Sequence, residues 1–318
     1  MTRREALAKA TVTTTVAAGG ALSPSQSRAF LEVLMDSSAF GRAIRQEIRP
    51  TFDGEINKLA TGTRLIRAAV ENADDGYRVE PTFPDVQYAT KKWRLPFEVT
   101  DDVYDSNIEG RALEASLVRR FGTQAGLDLD DLNINGDIAA GAGPDQAFLQ
   151  IDDGLLKLLT TVAGVNRVNA ATVDTGNLGK AILFDAQAAM PQKYLDAGNL
   201  VWLASGRLEA AYNEYLTNRS TAAGDSALNQ TAQRPLGYPW LTVPFMPTSR
   251  LILTNPKNLV RVLFNGIKRY IVHPNQDWEL ATRDKHGYIF FGRQDFILET
   301  PQAIVDVYGL TGNPATGT

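Results

Sequence analysis

The sequence predicts an α+β protein, and three observations carry that expectation. From Leu95 to Asp137 a strand, a turn, a long helix and an acidic loop follow one another without a break. Helix-spaced apolar stripes continue through the middle of the chain, and the final third turns to short alternating runs separated by Gly, Pro and Asn. The composition is that of a globular protein with a real core: 318 residues, 44% apolar and 21% charged. A chain of that length buries about three quarters of its unfolded surface, and neither disorder nor a collagen-like repeat fits those proportions.

The remaining bulk properties exclude several classes of function. A formal net charge of −4 argues against a dedicated nucleic-acid binder, because neutralising phosphates requires a basic surface. The absence of cysteine excludes a disulfide framework, a thiolate metal site and a cysteine nucleophile. Reinforcement must come from burial and from interfaces.

Taken in order, residues 1 to 24 imitate an export signal, with Arg3 and Arg4 ahead of an Ala/Thr-rich run, but Lys9 and Thr11, Thr13, Thr14 and Thr15 interrupt the apolar region such a signal needs. No stretch approaches the ~18 apolar residues of a membrane span, so the expectation is a soluble chain with no membrane partner. From Ser23 a short helix is expected, capped near Ser25, with Phe30, Leu31, Leu34 and Met35 on one side. The first 50 residues hold seven basic and four acidic groups, a local surplus of +3 to which Arg28, Arg42, Arg45 and Arg49 contribute. The plain reading of that surplus is a solvated face.

Thr63–Val70 and Val86–Val99 read as two extended strands joined by the polar break at Glu71, Asn72, Asp74, Asp75 and Gly76. In the second strand Tyr88, Trp93 and Phe97 alternate with Lys91, Lys92 and Arg94. An isolated two-stranded ribbon is at best marginally stable in water, so this one must lie on something. From the residues alone it is an edge hairpin of an ordinary sheet.

Asp101, Asp102, Asp105, Ser106 and Asn107 then supply turn and cap oxygens, and a helix of ~20–25 residues follows, ~30–38 Å long. Leu113, Leu117, Phe121 and Ala125 make its apolar stripe. Gly122 and Gly126 each cost about 1 kcal/mol in a helix interior, so they either weaken the helix or mark where another backbone comes close. A glycine-rich link leads to a buried helix within Ile151–Thr161 begun near Asp152, a helix over Leu178–Met190, a buried strand at Asn199–Leu203 and a helix bearing Leu208, Ala211, Tyr212 and Tyr215. Residues 217–235 are small, polar and aperiodic, a surface loop. After a Pro-marked strand around Trp240, the expected elements are a strand at Leu251–Thr254, a helix at Pro256–Leu263, and strands at Lys268–Val272, Tyr288–Phe291, Asp295–Glu299 and Ala303–Val307.

This order of signals resembles the major capsid proteins of tailed bacteriophages, the fold named after the Hong Kong 97 phage. The residues that carry the resemblance are Val99, Asp101, Asp102, Val103, Tyr104 and Asp105 before the long helix, Leu132, Asn133, Ile134, Asn135, Gly136 and Asp137 after it, the Leu236–Pro244 strand, and the ending RQDFILETPQAIVDVYGL. It covers about residues 25–312. One departure is Ile138, where the family often continues with glycine. The resemblance implies an N-terminal arm (1–52), an extended β-hairpin loop (53–98), a peripheral domain with a spine helix (99–150), an axial domain (151–255) and return strands shared by the two (256–318). It implies a virion shell protein assembled in the host cytoplasm into pentamers and hexamers. The partners it implies are copies of itself, a scaffolding protein, a portal, decoration proteins and packaged DNA, the last weakly. It makes Tyr88, Lys91, Lys92, Trp93 and Arg94 inter-subunit contacts of the loop, and Arg28, Arg42, Arg45 and Arg49 part of an inner-surface arm. Lys91 or Lys92 would also be placed to donate an isopeptide cross-link of the kind some members form. An encapsulin-type compartment shares the same plan and is the alternative.

Signals for chemistry fail on inspection. Asp131, Asn133, Asn135, Gly136 and Ile138 begin a calcium-loop pattern, but Ala142 stands where its bidentate Glu is required. The run around Lys180 has Asp174 and Ala181 in place of the glycine and hydroxyl of a phosphate loop, and Gln146 replaces the last glycine of a dinucleotide motif. Only His273 and His286 are present. The carboxylate pairs Asp101/Asp102 and Asp152/Asp153 are explained as helix-start acids. The expectation is a non-enzymatic protein with no cofactor or metal.

Overall fold

In the computed structural model, residues 24–36, 38–57, 85–100, 102, 113–173, 175–217, 234–272 and 285–315 are described. The expected strand at Thr63–Val70, most of the acidic turn at 101–107, residues 218–233 of the expected loop and His273 lie outside them.

The centre of the molecule is the helix Leu113–Asn135, called α3 because Pro24–Met35 (α1) and Ala39–Ala43 (α2) precede it. Its 23 residues match the expected length. The buried stripe continues through Ala125, Leu129 and Leu132, every third or fourth position, as a core-facing helix requires. Helix α1 packs along it, burying Phe30, Leu31 and Leu34. A Cβ at Gly122 would lie 3.3 Å from the Phe30 ring, so this glycine marks a close approach, and what approaches is the side chain of α1.

A five-stranded sheet packs against both α1 and α3, with Phe30 of α1 stacked on Phe290 at 5.1 Å. Strands Arg45–Arg49 (β1), Asp53–Asn57 (β2), Asp85–Ala89 (β3) and Lys91–Thr100 (β4) come first in the chain, and Leu259–Phe264 (β9), Lys268–Val272 (β10) and Lys285–Leu298 (β11) come later. The 14-residue β11 is the common member: β4 runs along one edge, and β10 and β9 pair with successive stretches of the other, with β1 beyond β9. Tyr288 and Phe290 face the helix, where Phe97 stacks between Phe121 and Tyr288 at centroid distances of 4.1 and 4.9 Å. Trp93 lies across Gly292, where a Cβ would come 2.2 Å from the indole, so glycine is required by space rather than by backbone conformation.

Three expectations are corrected here. Tyr288–Phe291 and Asp295–Glu299 form one strand, because Gly292 makes room for a ring and breaks nothing. The helix expected at Pro256–Leu263 is a single 3-10 turn, Pro256–Asn258, followed by β9. Leu259 through Leu263 are buried without exception, as a strand covered on both faces must be, and periodicity alone cannot tell that from a buried helix. The strand expected over Val86–Val99 breaks at Thr90 into β3 and β4, which go to different partners: β3 pairs with β2 and β4 with β11.

The second sheet has the order β5-β12-β8-β6-β7, built from Asn166–Asn169 (β5), Val201–Ala204 (β6), Trp240–Thr242 (β7), Arg250–Thr254 (β8) and Ile304–Tyr308 (β12). Between α3 and this sheet come Gln146–Leu149 (α4) and Leu155–Thr161 (α5). Leu251, Leu253, Val305, Val307 and Trp202 point to one face, against helix α6 (Lys180–Ala189) and, past the turn Gln192–Leu195 (α7), helix α8 (Gly206–Thr217). Ile252, Ile304 and Leu203 point to the other, where they meet Phe40, Ile44, Ile134, Leu155, Leu159, Phe296 and Leu298. This shared core draws on both sheets, the long helix and α2, so the two halves are joined by apolar packing.

The loop that closes α3 follows from its glycines. A Cβ at Gly136 would lie 2.3 Å from the Asp152 carbonyl oxygen, and one at Gly154 would lie 2.6 Å from that of Leu132. The two backbones meet directly, with Gly154 donating its N–H to the Gly136 carbonyl at 2.8 Å. The calcium-loop residues Asp131, Asn133 and Asn135 are therefore helical. Asn135 donates to the Asp131 carboxylate at 2.6 Å, and Asn133 is buried against Gln294. Beside them, wholly buried Asp130 accepts from Arg261 and from Ser38 at the start of α2, tying helix, sheet and N-terminal segment at one point.

Candidate assembly surfaces

The ribbon formed by β2 and β3 is the feature most exposed to a partner, and its root is built with care. Glycine at position 54 leaves room for the Tyr88 ring of the paired strand, whose hydroxyl lies 2.7 Å from Thr51 Oγ1. Thr90, at the break between β3 and β4, donates both its backbone N–H and its hydroxyl to the Phe52 carbonyl, each at 2.7 Å. Ile56 and Tyr88 pack on Val260, Val262 and Ile297 of the main sheet. The ribbon therefore rests at its root on its own subunit, and the remainder, residues 58–84, lies outside the described residues.

Under the root is a cleft of about 530 Å³ lined by Asp53, Glu55, Tyr88, Lys91, Asp152, Asp153 and Asp295, among others. Asp152 and Asp295 touch at its floor. Asp295 accepts from Ala89 N at 2.7 Å, and Asp152 accepts from Phe296 N at 3.2 Å. Burial, followed by the repulsion of Asp295, pushes the Asp152 carboxyl up to about 8, and burial raises Asp295 as well, so the pair favours its protonated form. This corrects the helix-start reading of Asp152 and Asp153: the cap of α5 is Gly154, without a side-chain bond, and Asp153 accepts from Ile138 N at 2.9 Å. An acid in the middle of an apolar strand, Asp295 in QDFIL, is the signal that was available in the sequence.

The loop residues expected at subunit contacts divide into two groups. Tyr88 and Trp93 are 5% and 6% exposed, and their side chains are used within the chain. Lys91, Lys92 and Arg94 are exposed. The inner-surface arginines divide too. Arg42 is exposed, while Arg45 pairs with Glu47 and, at 2.9 Å, with Glu299, and Arg49 pairs with Glu47. The side chain of Arg28 lies outside the described residues. Residues 24–49 are accordingly docked, as α1 on the long helix and β1 in the sheet.

Sequence reasoning missed a cationic row on the outer face of the main sheet. Lys92 is directly opposite Arg293, and Phe291 lies between Arg94 on one side and Lys268 on the other. Lys92 sits 4.3 Å over the Phe291 ring and Arg293 4.0 Å over Phe52, which is half exposed. Among the described residues no group of three or more His, Asp or Glu is arranged to hold a metal, and no helix is long and apolar enough to cross a membrane.

No family model matches the chain. It is 25% identical over 276 residues to the protein named "Putative prophage capsid protein YqbE" of Bacillus subtilis (strain 168), covering 82% of this chain and 85% of that one. Among solved structures it is similar to a chain of the satellite phage P4 procapsid that includes the size determination protein, with a TM-score of 0.67, 17% identity, and 93% and 94% of the two chains covered. A native gene transfer agent capsid (given as GTA) matches with a TM-score of 0.55 and 14% identity over 85% and 88% of the chains. The holo-SrpI encapsulin complex of Synechococcus elongatus PCC 7942 gives 0.55 and 11% over 87% and 89%. The chain has the phage capsid fold.

Proposed function

We propose that this chain is the major capsid protein of a tailed bacteriophage, a structural subunit that closes with copies of itself into pentamers and hexamers of an icosahedral head around double-stranded DNA. The observation that carries the reading is the extent of the likeness: it runs through 93% of this chain and 94% of the procapsid chain. The ribbon gives the reading a physical basis. Its root is satisfied within the chain, but a two-stranded projection gains little stability by itself and is completed by a neighbour. Closed rotational symmetry then leaves no open interface.

In this proposal the long helix and the β11 sheet form the peripheral domain, and the β12 sheet with α6 and α8 forms the axial domain at the capsomer centre. The exposed Lys91, Lys92 and Arg94 serve inter-subunit contact. Glu47 and Glu299 already neutralise Arg45 and Arg49, so among the described arginine side chains of the arm Arg42 is left for packaged DNA, and that contact is weak and non-specific. A scaffolding protein and a portal are the expected assembly partners, with decoration proteins on the finished shell, and the site of assembly is the host cytoplasm. Nothing in this role requires turnover.

Negative-stain microscopy and sedimentation of the purified protein test it. Closed particles are expected, and a stable monomer at high concentration overturns the reading. The encapsulin likeness favours one other outcome, and particle contents decide it: DNA for a phage head, a loaded protein for a compartment. Boiled particles run on a denaturing gel separate welded from unwelded shells. A ladder indicates cross-links through Lys91 or Lys92, and a single band near 34.7 kDa their absence.

A further inference from the structure

The cleft beneath the root of the ribbon joins three parts of the chain through one pair of side chains. Asp152 comes from the loop ahead of α5, Asp295 from the middle of β11, and the N–H that Asp295 accepts from Ala89, the last residue of β3. The two carboxyls are only 4% and 9% exposed, so any charge on them is held away from water.

Two of the three parts are fixed in place. The main chain at Asp152 lies against Gly136, where a Cβ would come 2.3 Å from the Asp152 carbonyl oxygen, and Asp295 stands within β11 opposite Val262 of β9. The third part is held less firmly. Strands β2 and β3 form a two-stranded sheet of their own, and the main sheet resumes only at Lys91, opposite Gln294. Besides the bond from Ala89, the root is kept down by Ile56 and Tyr88 and by the bonds of Thr90 to the Phe52 carbonyl.

The surroundings oppose a second negative charge on the pair. Asp53 and Glu55 of β2 line the same cleft, as does Asp153, and among the described residues Lys91 is the sole cation there. Other charged groups on the elements packed around it are engaged elsewhere: Lys157 of α5 with Asp137 at 2.9 Å, Arg293 of β11 over the Phe52 ring, Arg45 and Arg49 of β1 with Glu47, and Arg261 of β9 with Asp130 on the far face of the sheet. The Ala89 N–H favours charge on Asp295, to which a protonated Asp152 donates. Burial, then the charge of Asp295, raises Asp152 to about 8, so its own charge arrives only as pH climbs past neutrality.

We propose that the Asp152–Asp295 pair is a proton-operated catch on the ribbon: while Asp152 is protonated the pair holds Ala89 and the end of β3 on β11, and when that proton leaves, the doubly charged pair repels Asp53 and Glu55 and frees the root, with Thr90 as its fixed end. The catch does not depend on the shell reading. Where that reading holds, the catch sets how freely the ribbon moves before assembly.

Hydrogen exchange of the soluble subunit, followed by mass spectrometry and corrected for the pH dependence of intrinsic exchange, tests the catch on peptides covering Asp53–Asn57 and Asp85–Ala89. Protection of these peptides is expected to fall about tenfold between about pH 6 and about pH 9, while β9 and β12 keep theirs. Asp152→Asn is expected to hold the root protected at both pH values, because its amide donates to the Asp295 carboxylate and does not ionise. Asp295→Asn carries the same expectation and replaces it if circular dichroism shows the first variant misfolded. Equal protection of the ribbon peptides of the wild type at the two pH values overturns the proposal. So does a folded Asp152→Asn protein that keeps the wild-type pH dependence, since the titrating group is then elsewhere. Loss of protection in β9 and β12 in step with the ribbon also overturns it, by making the proton a support of the whole core. Because the measurement is made on unassembled protein, failure to form particles would count against the shell reading and leave this result standing.

Discussion

At the residue scale, buried charge is the most informative feature of this protein. Burial favours the protonated form of Asp152 and Asp295, and the charge of Asp295 adds to the effect at Asp152. Their folded-state affinity for protons lies above the ordinary value, given for Asp152 as 3.8 rising to about 8. The contribution of that proton is therefore fully present below the unfolded value and is lost as pH rises through the folded one. Melting of the soluble subunit is expected to drop between about pH 4 and about pH 8, and Asp295→Asn to flatten the curve by at least about 1 kcal/mol, which at this chain length is ~1.5 °C. A pH-independent difference between the two proteins would show that neither carboxyl binds its proton more tightly in the folded state. The Asp130 and Arg261 pair responds differently, since both side chains are 0% exposed. Removing one partner leaves an uncompensated buried charge, so Asp130→Ala is expected to cost about 3–5 kcal/mol by denaturant unfolding. Changing both partners to apolar residues of similar volume should cost much less than the single change.

Glycines decide the shape of individual elements. Gly292→Ala puts a methyl group inside the Trp93 ring, and the expected loss is about 1–3 kcal/mol with a change in tryptophan fluorescence as the indole is displaced. Gly136→Ala is expected to cost at least as much, since the added atom meets backbone on two sides and no side chain can yield. The long helix, α5, α6, α8 and the strands at Arg250–Thr254 and Lys268–Val272 were legible because their apolar spacing or their Gly and Pro borders match the period of the element. Three things were not. Leu259–Phe264 is buried on both faces and so shows no period, Asp53–Asn57 is polar and gains its pairing from Asp85–Ala89, and the break at Thr90 depends on the Phe52 carbonyl far back in the chain. The candidate surface was half legible. Lys91, Lys92 and Arg94 are adjacent in sequence, but Lys268 and Arg293 join them only through the register of β11.

At the scale of the whole molecule, the described residues pack their apolar clusters within one chain. Replacing residues 58–84 with a short Gly/Ser linker is expected to leave a folded, soluble subunit with a melting temperature within a few degrees of wild type, and to abolish closed particles under the microscope. Loss of folding instead would make that segment part of the subunit's own core. The apolar cluster shared by the two sheets has a further bearing on geometry. An icosahedral head asks one polypeptide to sit at fivefold and sixfold corners, where neighbours meet at different inclinations. A chain whose halves are welded by Phe40, Ile134, Leu155, Ile252 and Phe296 cannot flex across its middle to meet that demand. The difference in curvature would then have to be absorbed outside this core, in how firmly each copy grips the next.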